Sequence, residues 1–400
     1  MYTYNPNKTR TMIDLFAGAG GLSCGLEQAG FHPVLANELM PQYSQTYQVN
    51  HSGTTVITGD VRSVPEEEIE ELVKQHGRID LIAGGPPCQG FSVNAPIRSL
   101  DDPRNHLFED FLRIVSKIRP RAVMIENVPG IVSLGQGTVI QQIYKSLNSM
   151  GYSVNHRILF AGHYGVPQLR FRTIIIGIHD YSGLISFPEP EYYVTAIANF
   201  QQSKELCYCL TPMDELLLKP KVTVGNAISD LPELIGGEKK SEYDYSMKPQ
   251  SEYQEELREG STRITSHWCS KLSPINLERL KYIPVGGSWR DIPFEILPAG
   301  LKRARRSDHT KRYGRLDPND LCSTIMTKCD PHWGSFFHPS QPRTLSVREA
   351  ARIQSFPDRY LFTGSMTEQY QQVGNAVPPL LARAVGLKIQ EMLRRKENES

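Results

Sequence analysis

The sequence predicts an α/β fold, with a doubly wound sheet and a second, smaller and less regular domain. Between residues 11 and 180, short apolar runs alternate with longer segments of helical periodicity, which is the pattern of a parallel sheet covered on both faces. Segments of unusual composition each follow a predicted strand, and ligands of such sheets bind beyond the carboxyl ends of the strands. From about residue 187 to 342 the periodic pattern is lost and turn-forming residues become frequent.

The predicted elements follow in chain order. Six apolar runs indicate strands: TMIDLF, HPVLA, TTVIT, DLIAG, AVMIE and TIIIGI. The segment GLSCGLEQAG, which follows TMIDLF, has a helical pattern, as do residues 66–76, 107–118 and 137–149. The segment VPPLLARAVGLKIQEMLRR indicates a terminal helix that begins with proline. We therefore expect a first domain at 1–186, a second at 187–342, and a segment at 343–400 that returns to the first domain as a hinge and a C-terminal helix.

Composition excludes several classes of protein. The chain has 39% hydrophobic and 22% charged residues, with no signal-peptide pattern and no apolar run of membrane length. Its seven scattered cysteines indicate reduced thiols rather than a disulfide framework. Cys207 and Cys209 have no partner pair, so we expect no zinc site. These features predict a cytoplasmic protein that holds no metal.

Net charge is +1, but the charges are unevenly distributed. Residues 301–315, LKRARRSDHTKRYGR, hold seven Lys/Arg and one Asp. Such a run either contacts phosphates or forms a solvated face, and the sequence leaves both readings open.

A glycine-rich segment, DLFAGAGGLS at 14–23, joins a strand to a helix. Gly18, Gly20 and Gly21 allow a ligand to approach the backbone at the positive end of the helix, although a plain tight turn has the same composition. The spacing is not the G-x-G-x-x-G of dinucleotide sites. Glu38 and Asp60 each follow a later strand, where an acid can hold ribose hydroxyls or an adenine amino group, or simply cap a helix. Together the three features predict a site for an adenosine-containing cofactor.

The segment GGPPCQGFS, residues 84–92, places Cys88 in a turn stiffened by Pro86 and Pro87. This context suits neither a core cysteine nor a metal ligand. Glu126 lies at the end of another predicted strand. Its carboxyl group could be kept protonated by an enclosed pocket, or the residue could simply be exposed or cap a helix. In QLRFR, the residues Gln168, Arg170 and Arg172 are two apart, so an extended chain would aim all three at one side. That side could be a binding site, but an edge strand whose arginines face water would have the same local pattern.

Six motifs together resemble the DNA cytosine-5 methyltransferase family: DLFAGAGG, GGPPCQGFS, ENVPG, QLRFR, RTLSVREAARIQSFPD and QQVGNAVPP. They occur in the family's order and spacing and span residues 12 to about 385. The resemblance implies a Rossmann-like catalytic domain that binds S-adenosylmethionine, a target recognition domain at 187–342, and double-stranded DNA as substrate. It implies Cys88 as nucleophile and Glu126 with Arg172 as the groups that hold the base, beside Arg170 and Gln168.

The same resemblance implies a set of cofactor contacts. They are Phe16, Ala17, Gly18, Gly20, Gly21, Leu22, Glu38, Leu39, Asp60, Val61, Pro86, Leu107, Asn375 and Ala376. Leu39 is a departure, because some members carry an aromatic residue there that stacks on adenine.

Three functions fit these residues. The first is a bacterial, sequence-specific DNA methyltransferase, monomeric and acting at the nucleoid, with a separate cognate restriction endonuclease where it serves a restriction system. The second is the same chemistry on transfer RNA. The third is a catalytically inactive DNA-binding regulator. The long insert favours DNA, because reading several base pairs needs a dedicated surface, and intact Cys88, Glu126 and Arg172 disfavour the regulator.

Overall fold

A computed structural model describes residues 9–87, 107–195, 203–238 and 240–399. The helices within these ranges, in chain order, are α1 (Gly21–Gln28), α2 (Pro41–Asn50), α3 (Glu66–His76), α4 (Leu107–Ile118), α5 (Thr138–Ser149), α6 (Ser203–Leu206), α7 (Val224–Ile228), α8 (Glu252–Arg258), α9 (Pro274–Lys281), α10 (Ala299–Lys302), α11 (Val347–Ile353), α12 (Met366–Asn375) and α13 (Pro379–Glu399). The strands are β1 (Arg10–Leu15), β2 (Phe31–Glu38), β3 (Thr55–Thr58), β4 (Leu81–Gly84), β5 (Ala122–Asn127), β6 (Tyr152–Phe160), β7 (Gln168–Leu169), β8 (Phe171–His179), β9 (Tyr192–Tyr193), β10 (Lys219–Pro220), β11 (Glu242–Tyr243), β12 (Ile264–Thr265) and β13 (Cys322–Ser323).

The chain forms two compact units. The first comprises Met1–Tyr164, Phe171–Lys219 and Val377–Ser400, and the second comprises Gly165–Arg170 and Pro220–Ala376. Residues 187–219 thus lie in the first unit, and residues 343–376 lie in the second. Among the described residues, none of the helices combines the length and the apolar composition that a membrane span requires.

A seven-stranded sheet forms the centre of the first unit, in the order β3-β2-β1-β4-β5-β8-β6. Its first five strands are parallel, and their carboxyl ends share one edge, because Leu15 pairs with Gly84, Gly84 with Ile125, and Glu38 with Thr58. The α/β fold predicted from the sequence is confirmed, with strands at all six predicted positions.

The sheet departs from the all-parallel prediction at its far edge. Strand β6 was not predicted, and β8 runs antiparallel to both β5 and β6. Only ten residues separate β6 from β8, and a parallel crossover needs a dozen or more. The short connection therefore fixes the antiparallel pairing.

Helix α4 shows how the first unit builds its core. Phe108, Phe111, Leu112 and Val115 recur at helical spacing and are all buried. They belong to the apolar cluster that also contains the buried side chains of β1, β4 and β5. Burial of each such side chain contributes about 1.5–3 kcal/mol, so this face fixes α4 against the strands that end at the site.

The second unit is less regular, as predicted. It contains two-stranded pairings, β7 with β13 and β11 with β12, and a small apolar core around Trp289 and Phe337. Short helices and turns make up most of the remainder.

The motif RTLSVREAARIQSFPD contributes buried side chains to the second unit. Its arginines Arg343, Arg348 and Arg352 are each at most 1% exposed. Arg343 donates to both carboxylate oxygens of Glu349 at 2.7 Å, and Arg352 pairs with Asp230 and Asp358. Burial alone would raise the pKa of Glu349, but the charge of Arg343 outweighs it and holds that pKa well below its usual range. Losing one partner would leave a buried charge unpaired, which costs several kcal/mol, about 3–5.

Candidate active site

The glycine-rich turn after β1 places backbone N–H groups at the start of α1. Phe16, Gly18 and Gly20 all have positive φ, at 59°, 57° and 88°, and Gly20 is the residue that precedes the first turn of the helix. The Ala17 N–H donates to the Asn37 carbonyl at 3.0 Å, which ties the turn to β2. A Cβ at Gly18 would meet no atom within 4 Å, so the backbone angle, rather than crowding, favours glycine there.

Glu38 links this turn to the end of β2. Its Oε2 accepts from the Gly18 N–H at 2.8 Å, and its Oε1 accepts from the Met40 N–H at 2.9 Å. Burial raises the pKa of Glu38, and backbone hydrogen bonds from Met40, Gly18 and Leu39 oppose that rise. Leu39, the next residue, is 60% exposed. The structure therefore brings together the predicted turn, the predicted acid and an exposed apolar neighbour.

Sequence reasoning missed Asp14, a fully buried acid on β1. Its Oδ2 accepts from the Ser23 hydroxyl at 2.6 Å, and that hydroxyl lies 2.7 Å from the Tyr47 oxygen. Among the described residues, no group donates a hydrogen bond to Asp14 Oδ1. Burial raises the pKa of Asp14 to about 7, the Ser23 hydrogen bond opposes the rise, and the charge of Glu38 adds to it. An acid inside an otherwise apolar strand was the signal that could have revealed it.

Asp60 lies beyond the end of β3 and is followed by the predicted residue Val61. Both of its carboxylate oxygens accept from Arg62, with Nε at 2.9 Å from Oδ1 and Nη2 at 2.5 Å from Oδ2. These hydrogen bonds lower the pKa of Asp60. Val61 is buried, and its carbonyl accepts from Arg113 of α4 at 3.2 Å, while Leu107 begins that helix.

The turn GGPP leaves β4 next to the end of β5. A Cβ at Gly84 would lie 2.3 Å from the Leu15 carbonyl oxygen, so only glycine fits there. A Cβ at Gly85 would lie 3.0 Å from Glu126 Oε2, and the Pro86 carbonyl accepts from Asn127 Nδ2 at 2.8 Å. Cys88 lies outside the described residues, one residue beyond the last described position of this turn.

Glu126 and Arg172 form a buried ion pair. Arg172 Nε lies 2.6 Å from Glu126 Oε1, and the two side chains are 14% and 12% exposed. Burial lowers the pKa of Arg172, and the charge of Glu126 opposes that effect. The two residues predicted to hold one base therefore meet, across the boundary between β5 and β8, next to the turn that leads to Cys88.

Gln168 and Arg170 lie apart from this pair, in the second unit. Arg170 donates to the carbonyls of Ile325, Gly374 and Ala376, and Gln168 bonds to Gln354 and Ile325. QLRFR is extended at Gln168–Leu169 and again from Phe171, as expected, and Arg170 Nη1 donates to Gln168 Oε1 at 3.4 Å, so these two side chains lie on one side. At the break between the two strands the Arg170 N–H donates to the Gln168 carbonyl, which is a three-residue turn. The contacts of Gln168 and Arg170 stabilise the second unit, and a contact with the base stays a prediction for them.

The remaining predicted residues have these places. Gly21 and Leu22 begin α1 and are buried. Asn375 ends α12 in the second unit, and the carbonyl of Ala376 accepts from Arg170 and Gln354. Within the described part of the chain, no cluster of three or more His, Cys, Asp or Glu side chains could hold a metal ion.

The fold and the site together define a class of protein. A mostly parallel sheet, with a glycine-rich turn after β1 and acids along its carboxyl edge, is the architecture of enzymes that bind a nucleoside-containing cofactor. The carboxylate–arginine pair beside it can bind a heterocycle that offers both a hydrogen-bond donor and an acceptor.

The chain belongs to the C-5 cytosine-specific DNA methylase family, whose model matches residues 10–391, and it is accordingly a DNA cytosine-5 methyltransferase. It is 34% identical to the Type II methyltransferase M1.HphI of Haemophilus parahaemolyticus over 96% of this chain and 87% of the relative. It is 35% identical to M.DdeI of Desulfomicrobium norvegicum over 94% of this chain and 88% of the relative.

One solved structure of similar architecture is a putative DNA modification methyltransferase encoded within an Escherichia coli prophage. It matches with a TM-score of 0.71 and 26% identity, covering 96% of this chain and 99% of the other. A DNMT2 structure from Spodoptera frugiperda matches with a TM-score of 0.57 at 16% identity, over 96% and 99% of the two chains, and shows a shared fold.

Proposed function

We propose that this enzyme transfers a methyl group from S-adenosylmethionine to carbon 5 of a flipped cytosine within a specific duplex DNA sequence, through a covalent bond to Cys88. The observation that carries the proposal is the Glu126–Arg172 pair, which lies against the turn that continues into Cys88. Addition to a pyrimidine requires a nucleophile and groups that bind the base.

The described residues fit S-adenosylmethionine. Its amino acid part carries a carboxylate, which the N-terminus of α1 favours, and its sulfonium and ammonium groups are cations, which the carboxylates of Asp14 and Glu38 favour. Glu38 keeps acceptor capacity for a ribose hydroxyl pair, and Asp60 is assigned to the adenine amino group. The exposed Leu39 offers an apolar surface for the adenine ring. When bound, the cofactor supplies an electrophilic methyl group.

The protein supplies the remaining chemistry. The Cys88 thiolate adds to carbon 6 of cytosine, which breaks the aromaticity of the ring and makes carbon 5 nucleophilic. Glu126 donates a proton to ring nitrogen 3, and Arg172 donates to the ring carbonyl, so that both stabilise the charge that develops. After methylation a base removes the proton of carbon 5, the bond between carbon 6 and the Cys88 sulfur breaks to release the thiolate, and the proton on ring nitrogen 3 returns to Glu126.

The ion pair with Arg172 fixes how Glu126 is presented to a base. Because Oε1 accepts from Arg172 Nε, the carboxyl group is oriented with its Oε2 towards Gly85. A flipped cytosine leaves the DNA stack at a cost of roughly a few kcal/mol, and contacts to Glu126 and Arg172 offset part of it.

We assign DNA recognition to residues 187–342, and within them to the basic run at 301–315. Arg305 and Arg306 are exposed, and Trp333 is half exposed with the Arg312 guanidinium 5.7 Å from its ring. Hydrogen bonds join the two stretches: the Tyr313 N–H donates to Pro331, and Ser335 donates to Lys311. This cationic and aromatic surface suits a phosphate backbone with adjacent bases. A restriction system with a separate endonuclease, and a monomeric state, complete the proposal.

The test is methyl transfer with tritiated S-adenosylmethionine, offered duplex DNA and transfer RNA separately. We expect label in DNA only, recovered as 5-methylcytosine after hydrolysis. Label confined to transfer RNA, or recovered on adenine, contradicts the proposal, and bisulfite sequencing of the methylated DNA identifies the target site.

A further inference from the structure

We infer that Asn127 is a positioning residue for Cys88, acting through the backbone carbonyl of Pro86. The inference rests on the proposed function, in which Cys88 is the nucleophile. Asn127 is the last residue of β5 and is 6% exposed. Its Nδ2 donates to the Pro86 carbonyl at 2.8 Å, and its Oδ1 accepts from the Val128 N–H at 2.9 Å.

Proline chemistry makes this one hydrogen bond unusually restrictive. The Pro86 carbonyl belongs to the peptide plane that joins Pro86 to Pro87, so the bond from Asn127 fixes the orientation of that plane. The ring of Pro87 then fixes φ of that residue. Between the anchored carbonyl and the amide nitrogen of Cys88, only ψ of Pro87 remains a soft dihedral angle.

The same strand also carries the carboxylate that is proposed to hold the base. Glu126 Oε2 lies 3.0 Å from the Cβ position of Gly85, and Asn127 binds the carbonyl of the next residue, Pro86. Adjacent residues of β5 therefore contact adjacent residues of the turn. One central strand thus holds both Glu126 and the carbonyl that lies two residues before Cys88 in the chain.

An asparagine amide is needed because the two contacts have opposite polarity. The Pro86 carbonyl requires a donor and the Val128 N–H requires an acceptor. Asn127→Asp keeps the acceptor and the shape of the side chain, but it replaces the donor by an oxygen that repels the carbonyl. That substitution removes the donation to Pro86 and keeps the acceptor for the Val128 N–H.

Asn155 of β6, also in the first unit, offers a control with the same hydrogen-bond pattern at an exposed position. Asn155 Nδ2 donates to the Ile185 carbonyl at 3.2 Å, and its Oδ1 accepts from the His156 N–H at 2.9 Å. Asn155→Asp makes the same chemical change to the same pattern of hydrogen bonds, on a strand that does not carry the proposed base-binding residues.

The experiment measures covalent capture of full-length enzyme by duplex DNA with 5-fluorocytosine at the target, with S-adenosylmethionine present. We expect Asn127→Asp to slow capture on the order of 100-fold, as displacement of a reacting group by about 1 Å does. Its Kd for S-adenosylmethionine and its Kd for DNA should stay close to those of Asn155→Asp, which should be captured at nearly the wild-type rate, whereas its Tm should fall because the new carboxylate is buried. If Asn127→Asp does not fold, Asn127→Ala gives the same comparison without the added charge.

Capture of the Asn127 variants at the wild-type rate overturns the inference, as does a loss that weaker cofactor or DNA binding accounts for in full. Cys88→Ser separates this failure from failure of the proposed function. Adduct formation by Cys88→Ser refutes Cys88 as the nucleophile, whereas its absence beside normal capture of Asn127→Asp refutes only the positioning role.

Discussion

Asp14→Asn should stabilise the ligand-free enzyme, and more strongly at high pH than at low pH. Asp14 is fully buried, and burial raises the pKa of its carboxyl from 3.8 to about 7. A carboxyl with a raised pKa binds its proton more tightly in the folded state, so the free energy of unfolding falls as pH rises from about 4 to 7 and stays lowered above that. The full cost is on the order of 4 kcal/mol, at about 1.4 kcal/mol per pKa unit. Asparagine is neutral at every pH and avoids this cost.

The assay compares the Tm of Asp14→Asn with that of the wild type at pH 5 and pH 8. At pH 5 the wild type has lost only the stability that corresponds to about one pKa unit. The difference in free energy of unfolding between the variant and the wild type should therefore grow by roughly 2–3 kcal/mol from pH 5 to pH 8. This corresponds to roughly 5–10 °C in Tm for a unit of this size. Any constant effect of the buried amide cancels in the difference. A Tm advantage that is equal at both pH values would refute the buried, titrating carboxyl.

Two further results follow from the same carboxyl. The hydroxyl of Ser23 donates to Asp14 and lowers its pKa, so Ser23→Ala should extend the loss of stability to higher pH. Asp14→Asn should also bind S-adenosylmethionine more weakly at pH 8, because it removes a negative charge from the neighbourhood of Glu38. Stability gained and affinity lost in one variant would indicate that the acid is kept for function.

The remaining predictions concern the cofactor and DNA contacts. Leu39→Phe should lower the Kd for S-adenosylmethionine roughly threefold to tenfold, measured by calorimetry, because an aromatic ring can stack on adenine; an unchanged or higher Kd would contradict the placement. Asp60→Ala should raise the KM for the cofactor about tenfold with little change in kcat, and a large loss of kcat at saturating cofactor would assign Asp60 another role. Neutralising Arg305 and Arg306 together should weaken binding to all DNA sequences and reduce the salt dependence by roughly one unit of slope per arginine; altered sequence preference would instead make them base readers.

Much of the first unit could be predicted, because its strands are short apolar runs and its helices are amphipathic. The glycine-rich turn and Glu38 were found because they stand at the ends of such runs. Strand β6 was missed, since its sequence YSVNHRILF mixes polar and apolar residues and lacks a continuous apolar run. Asp14 was missed because it lies within a strand, where the pattern predicts burial but gives no hint of its hydrogen bond to Ser23.

The arginines show where local patterns stop being informative. The i, i+2 spacing predicts that Gln168 and Arg170 share a side, and Arg170 does donate to Gln168. The spacing gives no hint of the carbonyls of Ile325, Gly374 and Ala376 to which Arg170 also donates. Arg343 and Arg352 are charged yet buried, because Arg343 pairs with Glu349 and Arg352 pairs with Asp230. Composition cannot reveal such pairing. Asn127 follows a predicted catalytic residue in the motif ENVPG, but only the structure shows which carbonyl it binds.

The central claim is that Cys88 bonds covalently to the target cytosine. Fluorine at carbon 5 cannot leave as a cation, so elimination stops after methyl transfer and the enzyme stays attached to the DNA. We predict an adduct with 5-fluorocytosine DNA that survives boiling in detergent, forms only with S-adenosylmethionine present, and maps by peptide mass spectrometry to Cys88. Cys88→Ser should form none, because a serine hydroxyl offers little alkoxide near neutral pH, while its Kd for S-adenosylmethionine stays unchanged. An adduct formed by the serine variant, or one that maps to another residue, would contradict the account.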